Sequence, residues 1–296
     1  MTRVEVSVVI CVLNGAATIR RQLDALDAQR GHPPFDVLVV DNGSTDATPT
    51  LIAEWQSRPG APTRKLAIEA HERRNIPYAR NVGAMTTTGR IIAYCDADDR
   101  VDPAWVKAIA DCLSGDGILG GRIEGVSPRG EPKPDTFPHG LTRTPYLPHG
   151  GNCNLAITRS CFDAIGGYDE TLPRYGFEDV DICWRAQEAG FPMTYCPEAV
   201  VYFSISPKTK AIKKEFLIAQ ARVAMAHRHP GAYQGFTLPG TVAHLARTTA
   251  LLPVRLARPG ASTRSRHVRH FIDACGFMVG YLKYGPPPRS AKTQRK

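Results

Sequence analysis

Short apolar runs alternate with helix-period segments through the first third of the chain, and this alternation leaves few folds open. Val6–Val12 is a continuous β-branched run, the pattern of a strand buried on both faces. Asn14-Gly15 breaks it, and Ile19, Leu23 and Leu26 then recur at helical spacing within residues 17–29. Residues 35–40 (FDVLVV) form a second such run, closed by the turn signal Asp41-Asn42-Gly43-Ser44. Capping residues open a predicted helix over 45–56, and 66–69 reads as a third strand. Residues 75–85 predict a loop entering a helix with Ala79, Val82 and Met85 on one face; 90–94 predict a buried strand and 103–113 a helix. This order implies an α/β fold with a mostly parallel central sheet and flanking helices. Ligands of such sheets bind beyond the carboxyl ends of the strands, where Asn14, Asp41 and Asp96–Asp98 fall.

The rest of the 296 residues is less regular. Residues 114–148 are rich in Gly and Pro, with one strand expected around 119–123. A strand over 153–158, helices over 160–165 and 180–188, and a last strand over 199–203 follow. Helices are expected over 208–227, 242–256 and 267–284, with Pro259-Gly260 between the last two and a frayed tail over 286–296. Charge divides the chain in the same place. Residues 205–296 carry 17 Lys and Arg against two acids, Glu215 and Asp273, whereas 1–204 carry 20 basic and 26 acidic residues. The expected organisation is therefore an α/β domain over 1–204 and a basic, mostly helical C-terminal extension over 205–296. Eight cysteines show no CxxC pair and no regular spacing, which points to neither a metal site nor a disulfide framework; Cys11 and Cys95 read as buried thiols. No run of ~20 apolar residues and no small-residue cleavage site occurs, so a cytoplasmic location is expected.

Several residue groups bear chemistry, each beside a plainer alternative. In Asp96-Ala97-Asp98-Asp99, two carboxylates one residue apart on extended backbone point the same way and offer hard oxygen ligands to a divalent cation; a polar turn explains the same letters. Asp41 can accept from a nucleoside base or ribose, or from turn N–H groups. Arg80, beside Asn81, can fork onto phosphate, or join a surface ion pair. Glu178-Asp179 can supply a general base, or favour a helix N-terminus. Gly150-Gly151-Asn152 needs no more than a tight turn.

Taken in order, SVVICVLNG, DVLVVDNGSTD, ARNVGAMTTTGRIIAYCDADD, GGNCNLAITRSCFDAIGGYDE and GFEDVDICWRAQEAGFPMTYCPEAVVYF resemble glycosyltransferase family 2 across residues 5–204. The resemblance implies a GT-A fold and a hexosyl- or related transferase (EC 2.4 class) that inverts while moving sugar from a nucleoside-diphosphate donor to an acceptor hydroxyl. It implies Mg or Mn as cofactor. Asn14, Asp41, Arg80, Asn81 and Asp96 then belong to the donor nucleotide pocket. Asp96 and Asp98 are the DxD metal pair, with Asp98 the direct ligand; Gly151 and Asn152 lie on the acceptor and sugar side. Glu178 and Asp179 are the catalytic pair, with Asp179 the base.

One departure stands out. Many relatives place a metal-reaching His after the last strand, where Val201-Tyr202-Phe203-Ser204 stands here; His139 and His149 lie upstream and do not match that role. Two alternatives follow. A catalytically silent nucleotide-sugar-binding module would keep the fold. A sugar-nucleotide nucleotidyltransferase would need a Gly-rich loop with Arg and Lys after the first strand, unlike Leu13-Asn14-Gly15-Ala16-Ala17. The acceptor class is a glycan, a lipid-linked molecule or a small molecule. The basic extension has two readings: amphipathic helices on an anionic inner leaflet, giving a peripheral position at the cell envelope, or helices that pack on the catalytic domain with solvated cations. Nucleic acid is not expected, because aromatic residues are not interleaved with the basic ones.

Overall fold

The structure, a computed structural model, describes residues 4–172, 176–205, 211–233, 237–256 and 261–285. One unit comprises Met1–Glu170 with Asp179–Ser206; a second comprises Thr171–Glu178 with Pro207–Lys296.

The first unit is built on an eight-stranded sheet of order β3-β2-β1-β4-β7-β6-β8-β5. Its parallel half comprises β1 (Val6–Val12), β2 (Phe35–Asp41), β3 (Arg64–Glu69) and β4 (Ile91–Tyr94). Alternate side chains of β1 serve opposite faces, as strand geometry requires. Val6, Val8, Ile10 and Val12 join the core under α1 (Ile19–Asp27), α2 (Thr48–Gln56) and α4 (Trp105–Cys112). Val9, with Leu38 and Val40 of β2, joins the core under α3 (Ile76–Thr86), α5 (Arg159–Ile165) and α6 (Glu178–Glu188). Met85 departs from expectation: it is exposed at the last turn of α3, where Pro77, Ala79, Gly83 and Ala84 are buried instead. The chain leaves β3 and returns on the other side of β1 as β4. This reversal of strand order opens a crevice at the carboxyl ends of β1, β2 and β4.

The other half is mixed. β4 pairs antiparallel with β7 (Leu155–Thr158), and β7 with β6 (Ile118–Val126); β6 runs parallel to β8 (Met193–Ser204). Both β6 and β8 are longer than the apolar patterns at 119–123 and 199–203 indicate. The glycines Gly120, Gly121 and Gly125 interrupt β6, and its register with β8 shifts between Gly121 and Arg122. A Cβ at Gly121 would collide with the Asn154 amide and the Ala199 carbonyl, so this strand is glycine-rich to admit a polar brace. Cys112 and Cys196 form a disulfide linking α4 to β8, a pairing that cysteine spacing does not indicate. Cys95 is buried as expected, whereas Cys11 is only partly buried.

In the second unit α7 (Ala211–Arg228) and α8 (Leu238–Leu256) each pack on α9 (Ala261–Tyr284). Gly276 and Gly280 set the α7–α9 approach: a Cβ on Gly276 would stand 2.5 Å from Phe216 O, and one on Gly280 2.7 Å from Val223 Cγ2. Residues 208–210, Pro259-Gly260 and 286–296 lie outside the described residues. Among the described residues no helix is long and apolar enough to cross a membrane.

Candidate active site

The acidic turn follows β4 directly and is braced from α1 through its main chain. Gln22 Nε2 donates to Asp96 O at 3.1 Å and Arg21 Nη2 to Asp98 O at 2.6 Å, while Gln22 Oε1 accepts from Val101 N–H. These bonds use carbonyls and leave the carboxylates for other work. The short strand β5 (Arg100–Val101) then pairs with Val201 and Tyr202 of β8, which brings the end of β8 over the turn. Ser204 N–H donates to Asp99 Oδ1 at 2.9 Å, at the place where the resemblance expects a His.

Asp96, Asp98 and Asp99 present carboxylate oxygens that all lie within 4.8 Å of one another. Asp99 is fully buried, and its Oδ2 has no hydrogen-bond partner. Burial, then the neighbouring Asp96 charge, pushes its pKa up to about 8. An all-oxygen, acid-rich set with one orphaned buried oxygen fits a hard divalent cation such as Mg or Mn. Asp99 is thus a third acidic group beside the pair read from the sequence, which assigned it no role.

Arg80 is neither a surface ion pair nor open to solvent. It is buried on α3, 3.2 Å from Asp96 Oδ1, with its guanidinium 5.6 Å from the centre of the Tyr168 ring. The Tyr168 hydroxyl donates to Asn152 Oδ1 at 2.7 Å, and Asn152 Nδ2 is buried without a partner. A line of contacts therefore runs from Asp96 through Arg80 and Tyr168 to Asn152. Asn81 faces another way: its amide binds Tyr168 O and Glu170 Oε1, each at 2.9 Å, and its Oδ1 accepts from Tyr168 N–H. Its position holds the segment that carries Tyr168.

Asn14 and Asp41 meet through Ser44. Asn14, in a left-handed conformation (φ 55°), donates its N–H to Ser44 Oγ, and Ser44 N–H donates to Asp41 Oδ1. Gly15 N–H goes to Thr48 Oγ1 and Ala16 N–H to Asp46 Oδ2. The amides of this first loop are thus occupied, and it is no phosphate cradle of the nucleotidyltransferase kind.

Gly151 is extended (φ −92°) and leads into the single 3-10 turn Asn152–Asn154. Asn154 anchors that turn, accepting from Trp105 Nε1 and donating to the carbonyls of Arg122 and Ala199. Gly151 also lines a small cavity with Ile123, Phe137, Leu141 and His149. Asp179 is the second residue of α6, and its Oδ1 accepts from Val180 N–H. Glu178 opens that helix, directly after Phe177 in a left-handed φ of 72°. The buried Cys153 thiol relates these parts. Burial raises its pKa most, the charges of Asp96, Asp99 and Asp179 raise it further, and Arg80 lowers it. Arg21, Gln22, Asp99, Cys153 and Tyr168 were not singled out by sequence; only Asp99 carried a local signal, its place in the acidic run.

A family model described as glycosyl transferase family 2 matches residues 7–167, more than half of the chain. The chain belongs to glycosyltransferase family 2. This family-2 enzyme also matches, over residues 142–206, a model described as the N-terminal domain of galactosyltransferase. It is similar to glycosyltransferase AglE of Haloferax volcanii, 27% identical over 229 residues, covering 74% of this chain and 73% of that protein. The pre-mycofactocin glycosyltransferase of Mycobacterium tuberculosis is 29% identical over 240 residues, 76% of this chain; the family-2 chain spans 48% of that relative's length. Among solved structures, the mannosyltransferase PcManGT of Pyrobaculum calidifontis, in complex with GDP-Man and Mn2+, superposes with a TM-score of 0.59 at 19% identity, covering 95% of this chain and 87% of that one. The fold is GT-A.

Proposed function

We propose that the protein moves a sugar from a nucleoside-diphosphate sugar to an acceptor hydroxyl, with inversion at the anomeric carbon and with Asp179 as general base. The observation that carries this reading is the acid cluster after β4: carboxylate oxygens of Asp96, Asp98 and Asp99 all lie within 4.8 Å of one another, and Asp99 Oδ2 is buried without a partner. It supports a cation site on the donor side of the crevice, and Asp179 at the start of α6 is the carboxylate read as the base. The GDP-Man and Mn2+ bound by PcManGT support a nucleotide-sugar donor and a divalent metal.

Asp98, Asp96 and Asp99 would hold the cation. Bound there, Mg or Mn would neutralise charge on the diphosphate leaving group. Arg80, itself buried, orients Asp96 by pairing with its Oδ1. Asn14 and Asp41, joined through Ser44, offer the nucleoside side of the crevice. Asn152 Nδ2, buried and unpartnered, suits donation to a sugar or phosphate oxygen. Asp179 takes the proton from the acceptor hydroxyl as that oxygen attacks the face opposite the leaving group. A single displacement with one base gives inversion. The acceptor is a glycan, a lipid-linked molecule or a small molecule, and the excess positive charge of residues 205–296 supports an anionic acceptor or surface at the cell envelope.

The test is release of nucleoside diphosphate from a panel of nucleotide sugars, with and without Mn2+, for wild type, Asp98→Ala and Asp179→Asn. Metal-dependent release that Asp98→Ala abolishes is expected, with donor binding retained and transfer lost in Asp179→Asn. Nucleotide binding without release from any donor would favour the silent module.

A further inference from the structure

The notable surface of the second unit lies on α8. A helix on the outside of a soluble protein shows a polar face to water. On α8 the inward positions are Thr241 and Thr248, which are buried, and Leu245, Leu251 and Leu252, which are partly buried. The apolar residues that the sequence offers for a helix face are thus already used. Yet the exposed side is largely apolar as well: Leu238, Val242, Ala246, Ala250, Pro253 and Val254 share it with Thr249, Val242 being 48% and Val254 59% exposed. At 3.6 residues per turn these six occupy an arc of about 160°. His244 and Arg247 are the only titratable side chains between Leu238 and Val254. On α9, Leu282 is 81% exposed and is followed by Lys283.

The charge of the sequence segment that carries this face selects its occupant. From residue 216 to residue 272 the sequence holds eight arginines and no acid. A second copy would set like charges against one another, whereas an anionic bilayer meets both the apolar face and the arginines. The helix carries Arg247 and Pro253 at mid-length and near its end, and it does not qualify as a span. We propose that the outer face of α8 lies in the headgroup region of an anionic membrane, with Leu238, Val242 and Val254 inserted and Arg247, exposed at the edge of the face, at the phosphates. The proposal rests on the reading of the basic extension as facing an anionic surface, and names the face and the ligand chemistry.

The experiment is co-sedimentation of the full chain with phosphatidylcholine vesicles and with vesicles of equal parts phosphatidylcholine and phosphatidylglycerol, at low and high salt. Wild type should partition to the anionic vesicles at least ~tenfold more than to the neutral ones, and less at high salt. Val242→Asp with Val254→Asp should lose most of this binding while circular dichroism, melting and nucleoside-diphosphate release stay unchanged. Wild type left in the supernatant with anionic vesicles at low salt overturns both the face and the anionic-surface reading. Wild-type binding that the double variant retains overturns the face alone. A dimer in solution that the double variant converts to monomer assigns the face to a second copy and overturns the proposal. None of these outcomes bears on the transferase reading, which diphosphate release tests separately.

Discussion

Replacing Tyr168 by Phe removes one oxygen and keeps the ring, so it isolates the link between the acid cluster and Asn152. Tyr168 is 3% exposed, and its hydroxyl donates to Asn152 Oδ1 at 2.7 Å. Its ring stays 5.6 Å from the Arg80 guanidinium and edge-on to Tyr94 at 5.3 Å, contacts that Phe retains. Without the hydroxyl, Asn152 Oδ1 loses its donor, while Nδ2 already has no partner. A buried acceptor left unpaired costs about 1–3 kcal/mol. For a unit of this size each kcal/mol lowers Tm by roughly 2–4 °C, so a drop of about 2–12 °C is expected in thermal unfolding. If Asn152 Nδ2 donates to the donor sugar or its phosphate, an untethered amide forfeits an interaction of similar size, a fall of roughly 5- to 100-fold in kcat/KM. The assay is transfer or donor hydrolysis by Tyr168→Phe, Asn152→Ala and the double variant. Two changes on one contact line couple, so Tyr168→Phe should add little once Asn152 is Ala. Full kcat/KM in Tyr168→Phe, or effects that simply add in the double variant, would refute the positioning role of the hydroxyl.

Four further outcomes follow from the same coordinates. Asp99→Asn keeps an acceptor for Ser204 N–H but removes a carboxyl that can ionise onto a cation, so the variant should melt no lower than wild type without cation and lose most of the Tm gain that wild type shows with Mn2+; an undiminished gain would remove Asp99 from the cation site. Gly83→Ala drives a Cβ into Val9 Cγ1 and to 3.0 Å from Val40 Cγ2, so it should destabilise by about 1–3 kcal/mol in urea unfolding, and it should lower activity because α3 also carries Arg80. Gly276→Val separates α7 from α9, where even one Cβ meets Phe216 O and Ala219 Cβ, and should lower helicity measured by circular dichroism. Thiol titration of the unreduced, denatured chain should count six free thiols and rise to eight after reduction; eight from the start would remove the Cys112–Cys196 bridge.

What the sequence discloses and what it withholds divide along a physical line. β1 and β2 are legible because both of their faces are buried, which forces unbroken apolar runs, and Asp41 and Asp96 are legible because a strand of known end fixes where the next residues stand. β6 and β8 are legible only in part. Their pairing turns on Gly121, a register shift and the Asn154 brace reaching Ala199, none of which leaves a period in either strand. Arg80 shows the limit most clearly. Local pattern allows a solvated ion pair or a phosphate fork, and the fold removes the first, because Asp96 after β4 and Tyr168 from beyond α5 close around it. Tyr168 in turn is placed by Asn81, a residue whose sequence motif suggests nucleotide contact but whose amide is bonded to the backbone of Tyr168 on both sides. A position set by one strand's end is thus readable from that strand, whereas a position set by three elements is not. The line from Asp96 to Asn152 is of the second kind, which is why Tyr168 rather than an aspartate of the acidic turn is the residue where the structure adds most to the site.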